Sequence, residues 1–252
     1  MAGARMNITS VERSRAGLSL LFAPGERPDV SAMTAMLDAC QTYATITRTD
    51  PAAGAVEIVA GGLAFDMDGL APTRGEAVDS PLDHHGFADL PDFRLLEGVR
   101  LYPGHHLSGG MALSPVVRAL LALAAEIAVG LPVRAVLWHP AHAATEPRAF
   151  SHSVLAWLAG GAFPTQSLTA LSCHADGTVI SRGLGHFSGQ EAIVSGMEQS
   201  TPEATLRIVA QVVGHLAQAA PLEALTELRI QNVPFCAEPA QLGTRVLVWP
   251  AG

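Results

Sequence analysis

The stretch SRGLGHFSGQEAIV runs from Ser181 to Val194, and its reading decides the fold. Its glycines, at 183, 185 and 189, suit either a phosphate cradle that opens a helix or a bend between two strands. The spacing GxGxxxG is one residue longer than the dinucleotide fingerprint, which also needs a helix directly after the loop. Here Gln190-Glu-Ala-Ile-Val194 follows and is ended by Ser195-Gly196, a strand pattern. The next helix signal, Thr201-Pro202-Glu203, comes only later. The stretch therefore predicts a glycine-rich bend between strands.

Outward from this bend, the same grammar repeats. Leu168–Cys173 and Thr178–Arg182 flank Ala175-Asp176-Gly177, a hairpin turn, and Ala55–Ala60 and Leu63–Met67 flank Gly61-Gly62. Gly17–Pro24, Gly98–Ser108, Val133–Trp138, Glu227–Gln231 and Arg245–Trp249 read as further strands. Helices are predicted after Asp29, after Ser114-Pro115, after Thr145-Glu146-Pro147 and after Thr201. Strand–helix–strand followed by a hairpin, occurring twice, predicts an α+β chain of tandem ferredoxin-like halves, a mixed β-sheet with helices packed on it. The expected organisation is a flexible N-terminal tail at 1–16, an N-terminal half at 17–95 and a C-terminal half at 96–252, the two halves being either separate or one continuous globular unit. The irregular Pro-, Gly- and His-containing stretch 69–92 is the expected divider, and long loops of this kind are either functional or mobile.

Composition narrows the chemistry. Of 252 residues, 49% are hydrophobic and 15% charged, so the chain can bury a sizeable core. A net charge of −8, with no basic run, argues against nucleic acid as a partner. All fifteen basic residues are arginines, which excludes a Schiff-base lysine, a Walker lysine and a pyridoxal phosphate linkage. No cofactor is expected. Cys40, Cys173 and Cys236 lie far apart and read as free thiols in a reducing cytoplasm. The apolar stretch Leu113–Val129 is interrupted by Arg118 and Glu126, so no membrane span is expected.

The histidines supply the remaining candidates. His139 and His142 follow a predicted buried strand, His105 and His106 end another, and Glu146 is near in sequence. Imidazole and carboxylate ligands of this kind suit zinc or iron. As successive strand residues, however, His105 and His106 would face opposite sides. His186 with Glu191 is a candidate acid–base pair across the glycine-rich bend. Against that stands a structural role, with Phe187 pinning the bend to the core and the Glu191 carboxylate accepting the loop's amides. Neither HLSGGM nor HFSGQE is a nucleophile elbow.

The segment TVISRGLGHFSGQEAIV, with the apolar helix before AVLWHP and the FSHSVLAWLAGGAFPTQSLTAL segment, resembles the bacterial domain-of-unknown-function family 4261 over roughly residues 99–194. The matching positions are Gly183, Leu184, Phe187, Gly189 and Glu191, while Ser188 departs from the small residue expected there. That family has no established activity, so the resemblance implies none. The expected function is a non-catalytic cytoplasmic domain that binds a protein or small-molecule partner. The alternative is a metal-assisted hydrolase using His105 or His106, His139 and His142 with Glu191.

Overall fold

The computed structural model describes residues 15–39, 43–197 and 201–251. The predicted tail falls almost wholly outside them, as does Cys40. The chain is α+β, with two sheets of nine and six strands.

Strand β1 (Leu18–Phe22) is buried along its whole length, as its unbroken apolar run LSLLF requires but for Ser19. Helix α1 (Val30–Ala39) follows, its start fixed by Asp29, whose Oδ1 accepts from Ala32 N at 2.8 Å. Three strands then form a meander: β2 (Ala44–Asp50), β3 (Ala55–Ala60) and β4 (Leu63–Asp68). The β3–β4 turn places Gly61 at φ 57° and Gly62 at φ 80°, the two positive angles that such a hairpin needs.

Short strands β5 (Glu76–Ala77) and β6 (Asp83–His85) lie inside the stretch expected to be irregular. Next come β7 (Glu97–Pro103), α2 (Ser114–Gly130), β8 (Ala135–Trp138), β9 (Ala143–Thr145) and α3 (Pro147–Leu158). The first sheet runs β2-β3-β4-β7-β1-β8-β9-β6, with β5 paired to the end of β7. Because β7 and β8 both run antiparallel to β1, α2 crosses between two parallel strands with β1 between them. The apolar face of α2 joins one core with Leu18, Leu20, Phe22, Val99, Leu101 and Trp138.

The second sheet runs β10-β11-β12-β15-β14-β13. Its strands are β10 (Ala170–Cys173), β11 (Val179–Arg182), β12 (Glu191–Val194), β13 (Thr226–Ile230), β14 (Val233–Ala240) and β15 (Arg245–Pro250). A four-residue helix α4 (Thr165–Leu168) leads into it, a single helical turn α5 (Gly185–Ser188) sits in the bend, and α6 (Pro202–Leu216) covers one face. β12 and β15 pair in parallel, and every other pairing in this sheet is antiparallel.

Two expectations change. The boundary at 95/96 falls inside the first sheet, since β1 and β4 from one side pair with β7 from the other. The change of sheet comes instead between β9 and β10, so the sheets do not correspond to the expected halves. The strand expected to reach Ser108 stops at Pro103, and His105–Gly110 forms a 3-10 helix.

Candidate functional site

The glycine-rich bend is held by one carboxylate. Glu191 Oε1 accepts from the amides of Gly183 (2.8 Å) and Gly185 (3.0 Å), and Oε2 accepts from Ser181 Oγ at 2.5 Å. Ser181 Oγ in turn accepts from Ala192 N at 2.8 Å, so the latch closes on its own strand. Next to it, buried Gln190 donates to the carbonyls of Leu222 and Gly243 and accepts from Leu222 N. Glu191 is therefore engaged with the loop rather than with His186.

The bend also grips the first sheet. Gly183, at φ 92°, lies so close to the β8–β9 turn that a Cβ there would come within 2.7 Å of the Ala141 Cβ. His186 and Phe187 stack against Trp138, with ring centroids 5.3 and 6.1 Å away, and Phe187 meets Phe163 edge-on at 4.8 Å. Burial drives the His186 imidazole down to about 4. Its Nε2 is sealed from solvent without a hydrogen-bond partner among the described residues, as is Trp138 Nε1. A neutral, enclosed ring of this kind packs the joint between the sheets and is not an accessible acid or base.

The other histidines do not converge. His105 and His106 are both exposed on the 3-10 helix, while the His142 Nε2 lies 3.1 Å from the Ser80 carbonyl oxygen. Glu146 caps α3, its Oε2 accepting from Ala149 N at 2.8 Å. Among the described residues, no group of three or more His, Cys, Asp or Glu side chains could hold a metal ion. The predicted ligand set is thus dispersed.

His139 belongs to a different constellation, on the face of the first sheet away from α2. Its Nε2 lies 2.8 Å from Ser19 Oγ, and that hydroxyl donates to Glu76 Oε2 at 3.1 Å. A carboxylate can only accept, so the hydroxyl proton points to Glu76 and the imidazole supplies the other hydrogen bond. Ser19 is 1% exposed at mid-strand. A serine that is enclosed, with its hydroxyl donating to a carboxylate and not to a base, is not placed to attack a substrate.

Beside it, Arg100 forms a two-pronged pair with Asp68 (2.7 and 2.9 Å), and Tyr102 donates to the same carboxylate at 2.9 Å. Burial first, and then the Asp68 charge, hold the Tyr102 phenol well above its usual range. Arg100 also lies 3.7 Å from Glu76, joining the two sets.

These side chains border a groove of about 880 Å³ between the sheet and the loop 69–76. Arg27 fastens that loop, donating to the Gly69 and Thr73 carbonyls and pairing with Glu97 at 2.8 Å. Gly75 lies against the Arg27 side chain and Gly54 against Thr73, where a Cβ would collide. The groove's charged lining comprises Arg48, Arg74, Arg100 and five acids, Asp50, Glu57, Asp66, Asp68 and Glu76. Sequence reasoning named only His139 of this constellation. The Ser19 contacts span 57 and 120 residues, and the only available signal was the polar Ser19 inside a buried strand.

Fold and groove together define an α+β protein with a charged, strapped recess on one sheet. No family model, curated protein or solved structure matches the chain. No helix among the described residues is long and apolar enough to cross a membrane.

Proposed function

We propose that the chain is a non-catalytic binding domain of a bacterial cytoplasm, and that its ligand lies in the groove between the first sheet and loop 69–76. The observation that carries this reading is the Asp68–Arg100–Tyr102 set. It is a two-pronged ion pair with a third hydrogen bond, mounted on adjacent rigid strands and left open to a recess. Charged groups half out of water are costly on a sheet face that apolar residues could cover, and preorganised polar groups in a recess are what a ligand recognises. Arg48 and Arg74 have no ion-pair partner within 4 Å among the described residues, while acids outnumber arginines in the lining. A ligand carrying both signs of charge fits this lining, and a mixed-charge peptide segment is the reading adopted. The resemblance to family 4261 is part of the same proposal and rests on the five matching positions of the bend.

The test is an NMR titration with short peptides alternating glutamate and arginine. Saturable shifts at the amides of Arg48, Arg74, Gly75 and Arg100, lost in the Arg48→Ala, Arg74→Ala double variant, support the proposal. Shifts confined to other surfaces refute it. The alternative remains the metal-assisted hydrolase, for which His139 is the histidine to test. It replaces the binding reading if added zinc or manganese produces turnover of ester or phosphomonoester substrates that His139→Ala abolishes.

A further inference from the structure

A second recess of about 910 Å³ lies between α6 of the second sheet and the α4–β6 edge of the first, on residues that the groove does not use. Phe163, Leu171, Leu206 and Ala210 give it an apolar lining. Several polar side chains of its walls are already satisfied. Thr165 Oγ1 donates to the Ala210 carbonyl at 3.0 Å, and Ser153 and Ser167 share a hydrogen bond of 3.0 Å. Gly214 keeps α6 close to this wall, since a Cβ there would come within 3.3 Å of Thr165 Oγ1. The side formed by Phe163, Leu206 and Ala210 therefore offers an apolar body contact surface.

The rim is different. The Arg207 side chain has no hydrogen bond or ion pair among the described residues, and the imidazoles of His84, His85 and His215 stand round the same mouth. Of the two acids there, Asp83 already accepts from His84 N at 2.8 Å, and Glu203 sits in the first turn of α6, where the helix's positive end offsets its charge. Both acids keep their charge, and Arg207 is the one guanidinium among the described residues of the lining, the group best shaped to take a carboxylate with two hydrogen bonds. We infer that this recess is a ligand site for an amphipathic carboxylate, its chain lying along Phe163, Leu206 and Ala210 and its head on Arg207. Its volume falls within the range of small-molecule sites, and an apolar interior with a few polar groups at one end is their usual build. An alkylammonium of equal length would bring like charge to Arg207.

Calorimetry at pH 7.5 with decanoate and decylammonium, both below their micellar concentrations, tests the assignment. The expected result is one saturable decanoate site, with decylammonium at least tenfold weaker. Arg207→Gln, at an exposed position whose loss leaves the urea midpoint in place, should weaken decanoate at least tenfold. Ala210→Trp should abolish binding by filling the recess. The inference is overturned by non-saturable uptake, by equal affinity for the two amphiphiles, or by full decanoate affinity in Arg207→Gln. The result is separable from the groove, because Arg207→Gln leaves the groove-lining residues and their response to mixed-charge peptides untouched.

Discussion

At Glu191, one carboxylate serves three donors, two of them amides of a loop whose glycines leave it no helical partner. Removing it strands those donors in a half-buried turn, at about 1–3 kcal/mol. Glu191→Ala should therefore lower the urea midpoint clearly, and Glu191→Gln by less, because an amide oxygen replaces one acceptor. His186 gives a second prediction, with a sign. Its folded value of about 4 lies below the 6.5 of an unhindered imidazole, so the unfolded chain takes up the proton first. The stability held by the neutral ring is complete above about pH 6.5 and is lost as pH falls towards 4, at about 1.4 kcal/mol per pH unit in between. His186→Phe, which keeps an aromatic ring between Trp138 and Phe187, should flatten that part of the profile in urea titrations. The latch was legible in the sequence because donors and acceptor lie within ten residues. The groove was not, because Ser19, Asp68, Glu76 and Arg100 meet only through strand pairing.

Among the elements, those with local punctuation were readable. Gly61-Gly62 and Ala175-Asp176-Gly177 marked their hairpins, and Asp29, Ser114-Pro115, Pro147 and Thr201 marked helix starts. Besides the short strands β5, β6 and β9, two longer strands were missed, for different physical reasons. β2, ATITRTD, is an edge strand that lies mostly in solvent and so carries no apolar alternation. β14 holds Pro234 and Pro239, which cannot donate to a ladder and argue against an interior strand, yet it pairs on both sides. The stretch 69–92 stands out in the sequence for its irregularity, and the structure ties down its first part, 69–76, through Arg27, whose side chain is only 9% exposed. Arg27→Met should free the Gly69 and Thr73 carbonyls and speed hydrogen exchange at the amides of 70–77. The β3–β4 hairpin amides, which owe nothing to Arg27, should exchange as before.

Across the whole molecule, the two sheets are joined by the bend that opened the sequence. Gly183 lies on Ala141, and Phe187 wedges between Trp138 and Phe163. Phe187→Ala removes that wedge from a half-buried site and should lower the unfolding free energy by about 2–4 kcal/mol. Hydrogen exchange should then show β14 opening at lower denaturant than β7, where the parent opens both together. Gly183→Ala should act in the same direction, through its φ of 92° and the contact with Ala141. The parallel pairing of β12 with β15 bears on how the chain emerges during synthesis. Every strand of the first sheet has been made by Thr145, whereas the partner of β12 begins only at Arg245. At roughly 5–20 residues per second, β12 leaves the ribosome with an unpaired edge for several seconds. During that interval the nascent chain offers a sticky seam to its neighbours, and a chaperone that shields it would hold β12 until β15 emerges.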